Sequence, residues 1–491
     1  MKLTNSLPLL GLAHTTAGHP ALRALSYGNA TSRPCETVQC HQDALSFAFT
    51  YGFPLYPYGA LTQGEDAIPT NRLIHQSEPR TSDNREIVRP NVDTLYSTVF
   101  IDLSTHDLEI TVPNLSSRYL VWPFYDLYGN NFANVGNNAN VTCGKILVRY
   151  DQTNIGAFPK GTIKAAAGYD GYIGAPTPYG INIVRVEGSN TPEDLEAVHA
   201  IQSQMQIRPI PRPGPPAAPP LDLDMFKNSA FLPSNGTSLP EAVFRLTAAL
   251  AHFNEPEIPA DRPIVAQTLA NAGIRNGIWT QPPGTNLTAA VAASNASVAS
   301  YLSLPGSNHT PSNNWTVLDS AAIGDYDSLY QMRYFVAGWG YLGLTDDQCM
   351  YPSYTDIQEI GSNQAILFQF SGRPAVREVG FWSLTLYGAD QFLVPNDLDR
   401  YALGDRSNLT FPSGELVYSS KGEETDDGVF EILVQPTDVV PPANWTGNWL
   451  PAPAGGGGLD FTLRWYGPEE AMLPGGEYAY PKVTLIDAIT A

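Results

Sequence analysis

Nine residues, Arg89 to Ser97 (RPNVDTLYS), bring Arg89, Asn91, Asp93, Thr94, Tyr96 and Ser97 directly before an apolar run, Val99 to Leu103. Polar groups this dense beside a strand that enters a core must hydrogen-bond one another or meet a ligand. Asp93 leads the acid/base candidates, its carboxyl either raised in pKa by partial burial or held ionised by Arg89 or Arg118. Tyr96 could donate to a substrate oxygen. Asp126, in Phe124-Tyr125-Asp126, is the second carboxylate, and it would pair with Asp93 if the fold brings the two together. Arg89, Asn91, Thr94 and Arg118 complete the first-half set as substrate-binding candidates. The competing account of Asn91 and Asp93 is an Asx-type turn that starts the strand. For Tyr96 it is packing, with the hydroxyl turned to a partner.

In the second half, Ser383, Thr385 and Tyr387 share one face of a strand whose other face carries Trp382, Leu384 and Leu386. The polar face either lines a cleft and binds substrate or is a solvated sheet face. Arg464 and Tyr466 also share a face, where Arg464 could hold a substrate carboxylate or form an ion pair with Asp399 or Asp405. Trp and Tyr rings supply the alternative of a carbohydrate platform.

Several chemistries are not signalled. The chain has no Gly-x-Ser-x-Gly elbow, no P-loop and no dinucleotide fingerprint. His41, His75, His106, His199, His252 and His309 are scattered singly, so no metal pair is expected. Glu423 to Asp427 is acidic enough to attract calcium, yet it reads as a solvated loop. Neither a metal nor an organic cofactor is expected.

The net charge of −21 and the absence of a basic patch argue against nucleic-acid partners and anionic membranes. No run approaches the ~18 apolar residues that cross a bilayer. Met1-Lys2, the apolar run Leu7 to Ala13 and the small residues Thr15 to Gly18 read as a secretory signal over residues 1–18. Sequons at Asn29, Asn114, Asn140, Asn235, Asn286, Asn295, Asn308, Asn314, Asn408 and Asn444 agree with a secreted, extracellular glycoprotein. Cys35 and Cys40 are spaced for a small loop disulfide; Cys143 and Cys349 either tie the two halves together or are two buried thiols.

With 491 residues, the chain exceeds one ordinary core. A short helical start follows Gln42, with Gly52 and Pro54 to stop it. Residues 42–190 then read as a β domain: Leu108, Ile110 and Val112 alternate with Glu109 and Thr111, and Ile146–Val148 and Ile181–Val186 are further strands. Thr191-Pro192-Glu193-Asp194 opens a helix. The middle, 191–345, carries helices at Pro240–Phe253, Pro263–Ala272 and Leu287–Leu302, with a Pro-rich spacer or wrapped loop at 208–220. Residues 350–490 return to strands. The predicted class is mainly β with a helical middle (α+β): two antiparallel β-sandwich domains joined by helices.

The motifs add a resemblance. ValArgProAsn-x-AspThrLeuTyrSer at 88–97, Asp102-Leu103 and ProPheTyrAspLeuTyrGlyAsn at 123–130 resemble one domain of unknown function, number 1254. PheTrpSerLeuThrLeuTyr at 381–387, LeuValProAsn at 393–396, ArgTyrAlaLeuGlyAsp at 400–405, AsnTrpLeuProAlaPro at 448–453 and ArgTrpTyrGlyPro at 464–468 resemble a second, number 1214. The resemblance runs from about Ala44 to Lys482 and implies a jelly-roll-like sandwich in each half. It implies no reaction and transfers no catalytic residue.

The functional expectation is a secreted enzyme that uses Asp93, Tyr96 and Asp126 for acid/base chemistry on a small organic molecule or sugar. A carbohydrate-binding double sandwich and a structural or interaction protein are the alternatives, and each is compatible with a homo-oligomer. An enzyme needs its candidates around one concave pocket; a lectin needs exposed aromatics; a structural protein buries the same groups in mutual hydrogen bonds.

Overall fold

The computed structural model describes residues 30–63, 68–85, 89–115, 117–212, 214–233, 236–418 and 428–490. The expected leader, Asn29, Asn235 and the Glu423–Asp427 run lie outside the described residues.

Alternating apolar residues build the first β domain as two five-stranded sheets. One has the order β1-β2-β9-β4-β5 and the other β10-β3-β6-β8-β7. The strands are β1 (Ile74–His75), β2 (Thr94–Asp102), β3 (His106–Val112), β4 (Leu120–Asp126), β5 (Asn131–Gly136), β6 (Gly144–Tyr150), β7 (Gly156–Pro159), β8 (Gly171–Ala175), β9 (Tyr179–Glu187) and β10 (Gln206–Pro211). Leu95, Val99 and Ile101 of β2 meet Leu108 and Ile110 of β3 in the core between the sheets. The opposite face of the first sheet, with Phe100, Ile181 and Ile183, joins a separate core shared with helices. A sheet covered on both faces explains why β9 is buried almost throughout. Pro123 interrupts the β4–β9 ladder, and the Asn182 side chain donates to the Pro123 carbonyl at 2.7 Å in place of a backbone bond.

Helices α1 (Val38–Gly52) and α2 (Leu55–Ala60) precede this domain in sequence but belong to the helical layer. The layer is completed by α4 (Leu239–Leu250), α5 (Arg262–Asn271), α6 (Leu287–Leu302) and α7 (Tyr330–Gly340); α3 (Pro192–Gln202) instead packs Val198 and Ile201 on the first sandwich. The helical middle therefore includes an N-terminal helix that the sequence reading assigned to the β domain. Thr191 caps α3 as expected, its hydroxyl accepting from the Asp194 N–H. The start of the Pro-rich segment is not a spacer. It forms β10 at a sheet edge, where Pro209 and Pro211 sacrifice no interior bond.

The second sandwich pairs a sheet of order β11-β17-β13-β14 with one of order β16-β15-β12-β18. Its strands are β11 (Cys349–Met350), β12 (Gln364–Phe370), β13 (Val376–Gly388), β14 (Ala402–Gly404), β15 (Phe430–Pro436), β16 (Trp449–Ala452), β17 (Gly457–Pro468) and β18 (Lys482–Asp487). Trp382, Leu384 and Leu386 face Phe368, Phe370, Ile432 and Val434 inside it. Pairing is antiparallel except for β6–β8 in the first domain and β15–β16 in the second.

Cys35 and Cys40 are disulfide-bonded, and Cys143 and Cys349 remain free thiols. The two halves are therefore not tied by sulfur. Cys349 is buried with Tyr119, Phe381 and Tyr466 where the sandwiches meet, and burial pushes its thiol up to about 12.

Candidate functional site

The polar stretch at Arg89–Ser97 lies between the two sandwiches. Asp93 N–H donates to Asn91 Oδ1 at 2.6 Å, so the Asx turn is present. The Asp93 carboxylate accepts from Ser383 Oγ at 2.5 Å and from an Arg406 guanidinium nitrogen at 2.8 Å. Arg406, rather than Arg89 or Arg118, is thus its counter-ion. Asn91 donates to the Tyr466 hydroxyl at 2.5 Å. Arg89 pairs with Asp460, donates to Gln391 Oε1 at 2.7 Å and covers the face of Trp339 at 3.8 Å. Its backbone is left-handed (φ 51°), a strained geometry for arginine that these contacts maintain.

The polar face of β13 supplies the other half. Tyr387 donates to the Pro90 carbonyl at 3.0 Å, while Arg464 donates to Thr385 Oγ1 and to the Tyr387 hydroxyl, each at 2.8 Å. Arg464 therefore satisfies hydroxyls; neither Asp399 nor Asp405 is its partner. That face neither lines a cleft nor meets solvent. Asp405, beside Arg406, has its carboxyl pushed up to about 7 by burial, against the pull of that guanidinium. Asp93, Asn91, Ser383, Thr385 and Arg464 are all buried, and none lines a described cavity. Such mutual satisfaction between two domains is the arrangement of an interdomain clasp.

The remaining first-half candidates go elsewhere. Arg118 pairs with Asp194 at 2.5 Å near the start of α3 and donates to the Glu187 carbonyl at 2.7 Å. Thr94 is buried in β2. Tyr96 is half-buried against the helical core, with Arg185 at 5.8 Å from its ring. Asp93 and Asp126 are not brought together. The Asp93 carbonyl accepts from Gly188 N–H, whereas Asp126 sits opposite Gly180 in the β4–β9 register. Eight residues of extended strand separate those positions by roughly 26 Å.

Asp126 belongs to a different constellation. It caps the β4–β5 turn, accepting from Tyr128 N–H, Asn130 N–H and the Asn130 amide at 2.7–3.0 Å. Burial raises its carboxyl pKa, and the Arg333 guanidinium opposes the rise. Arg333, on α7, is buried among the rings of Tyr51, Tyr128 and Tyr330 at 4.6, 4.2 and 4.9 Å. Two further elements reach the same place. One is the segment between α4 and α5, which supplies Asn254, Glu257 and Asp261. The other is the Asp325–Asp327 loop before α7, which Asn131 N–H anchors through the Gly324 carbonyl at 2.8 Å. The backbone of Asp327 is left-handed (φ 47°).

Glu257 and Asp325 are partly buried here. Desolvation, reinforced by the Asp325, Asp327 and Asp126 charges, pushes Glu257 up to about 9. Desolvation and the Asp327 charge push Asp325 up to about 7. Glu257 Oε2, Asn254 Oδ1, Asn130 Oδ1 and Arg333 Nε are enclosed without a hydrogen-bond partner. Unspent donors and acceptors concentrated around carboxyl groups of displaced pKa mark a candidate functional site rather than a settled core. Among the described residues, no group of three His, Cys, Asp or Glu side chains is arranged to hold a metal ion.

Comparison with known proteins fits this division. Residues 70–209 match the family described as Protein of unknown function (DUF1254), and residues 354–470 match Protein of unknown function (DUF1214). The chain belongs to this tandem DUF1254–DUF1214 family. The VPA0106 protein from Vibrio parahaemolyticus shares the fold, with TM-score 0.57 and 18% identity over 91% of this chain and 100% of that one. An uncharacterized protein from Burkholderia cenocepacia aligns at TM-score 0.43 and 13% identity, over 95% of this chain and 94% of that one. No curated protein sequence matches the chain.

In family terms, the clasp joins the two named domains. Arg89, Asn91 and Asp93 come from DUF1254, and Ser383, Arg406, Asp460 and Arg464 from DUF1214. The acid cluster combines Asp126 of DUF1254 with residues from the segment between the two matches. Sequence reasoning found Asp126 but missed Glu257, Asp325, Asp327 and Arg333. The signal available was thin: Asn254-Glu255-Pro256-Glu257 and Asp325-Tyr326-Asp327-Ser328 are acidic connections next to helices, where acids ordinarily serve as caps.

Proposed function

We propose that this chain is an enzyme acting on a small organic molecule or sugar by acid/base chemistry, with Glu257 as proton donor, Asp325 as its basic partner and Asp126 shaping their field. The observation that carries this reading is the cluster of these three carboxyl groups, Asp126 buried and Glu257 and Asp325 partly buried, close enough to act on one another's charge and set beside Arg333 and polar atoms left unspent. Two carboxyl groups whose titrations are driven apart can divide the donor and acceptor roles at one pH. With Glu257 pushed up to about 9 and Asp325 to about 7, the first is protonated near neutrality while the second exchanges its proton. Hydrolysis, isomerisation and cyclisation can each use such a pair. Asp93 and Tyr96, favoured from sequence, are replaced in this role because they lie in the clasp and against the helical core.

We also infer a secreted protein. The Cys35–Cys40 disulfide suits an oxidising compartment, and Asn114, Asn140, Asn286, Asn295, Asn314, Asn408 and Asn444 are exposed at their sequons. A carbohydrate platform gains less support. Of the eight tryptophans only Trp339 is exposed, and Arg89 covers its face.

Metabolite profiling of culture medium tests the reading, with the source cells carrying the intact protein, a deletion, or Glu257→Gln at equal abundance. A compound that accumulates in both altered strains, with its product gone, supports it and names the substrate. A Glu257→Gln profile identical to that of the intact protein, where the deletion differs, refutes it.

A further inference from the structure

A cavity of about 390 Å³ opens between α4, α5 and the short hairpin Ile274–Trp279. The segment Phe253–Arg262 contributes to both this cavity and the acid cluster, and Tyr51 borders both. Phe253, Glu255, Pro256 and Arg262 face the cavity, while Asn254 is fully buried on the other side and Glu257 joins the acids. The cavity wall is mainly apolar, with Ala248, Ala251, Val265, Leu269 and Ile274 among the residues that form it. A volume of this size suits a small organic molecule.

Its charge runs against that of the whole chain. The sequence holds 48 acidic and 27 basic residues, yet this cavity sets Arg262 and Arg275 against Glu255 alone. Arg262 is already committed. Its Nε donates to the Pro256 carbonyl at 2.9 Å, one terminal nitrogen donates to Gln152 at 3.2 Å, and Glu255 lies 3.8 Å away. Arg262 and Glu255 thus cancel, and Arg275 carries the surplus charge.

Arg275 is held ready for a ligand. The turn Asn276-Gly277 has both residues at positive φ (51° and 78°), the geometry of a two-residue hairpin turn that fixes its flanks. Arg275 Nε donates to the Ala270 carbonyl at 3.2 Å, orienting the guanidinium and leaving both terminal nitrogens for a bidentate acceptor. His252 and Asn276 at the same rim offer additional N–H donors.

We propose that this cavity binds a small organic anion, its apolar body against Val265, Leu269 and Ile274 and its carboxylate on Arg275. The site shares the Tyr51 ring with the acid cluster but does not depend on the catalytic reading.

Calorimetric titration of the full chain with naphthalene-2-carboxylate and with the uncharged naphthalene-2-carboxamide tests the proposal. The carboxylate is expected to bind at least about tenfold more tightly, with that preference weakened by salt. Arg275→Gln removes the preference, and Ala266→Phe, which fills the cavity from an exposed position of α5, weakens both probes. Equal affinity for the two probes overturns the proposal, as does no binding of either up to about 5 mM. A preference that survives Arg275→Gln, or binding untouched by Ala266→Phe, also overturns it.

Discussion

Replacing Glu257 by Gln separates a functional carboxyl from a structural one. In the folded chain Glu257 titrates at about 9 against an ordinary 4.5. Between those values the native state holds a proton that the unfolded chain has released. Stability from this group is therefore complete below pH 4.5 and is lost as pH rises towards 9, by about 1.4 kcal/mol per unit. At pH 7 the accumulated loss is about 3 kcal/mol, and solvent screening of a half-buried side chain brings it to about 1–2 kcal/mol. Glutamine has the shape of the protonated acid but does not titrate. Glu257→Gln is thus expected to match the wild type near pH 4, to exceed it by that margin at pH 7, and to abolish turnover. Urea midpoints measured from pH 4 to pH 8 give the stability curves, and turnover of the metabolite identified by profiling gives the second readout. A stability difference that does not change with pH, or a variant less stable at pH 7, would refute the burial argument. A stabilised variant with full activity would leave the carboxyl without a catalytic role.

Other outcomes follow from the same coordinates. Asp93→Asn removes the buried carboxylate that pairs the partly exposed Arg406 and is expected to cost about 1–2 kcal/mol while turnover per folded molecule is retained; thermal unfolding and kinetics measure the two together. Gly52→Ala would place a methyl group 1.8 Å from Thr247 Oγ1 where α1 crosses α4, so a drop in melting temperature of several degrees is expected by calorimetry. Reducing Cys35–Cys40, which closes a very short loop, should lower stability by about 2 kcal/mol, read as a shift of the urea midpoint under dithiothreitol. Asn308 already donates its amide to Leu302 O at 2.9 Å and to Ser307 Oγ at 3.3 Å, so glycopeptide mass spectrometry should find it unmodified while Asn408 or Asn444 carries glycan.

Local pattern was enough for much of this architecture. The alternation at Leu108–Val112 and at Trp382–Leu386 determined strands and their inward faces, because a period of two leaves one way to bury the apolar set. Thr191-Pro192 determined where α3 starts, since a cap and a fixed φ act within one turn of chain. The shared polar face of Ser383, Thr385 and Tyr387 was also legible; what it faces was not. Only the docking of one sandwich on the other turned that face, with Asp93 and Arg406, into a clasp. Likewise α1 reads as an isolated amphipathic start, and its place among helices from the middle of the chain depends on contacts some 200 residues away. The acid cluster was decided most completely by tertiary structure. Asp126 ends strand β4 while Glu257 and Asp325 lie on two separate connections, and in sequence each is an ordinary polar residue beside a turn or helix. Their shifted titration arises from shared desolvation and mutual repulsion, which exist only once the folded chain brings the three carboxyl groups into one low-dielectric space.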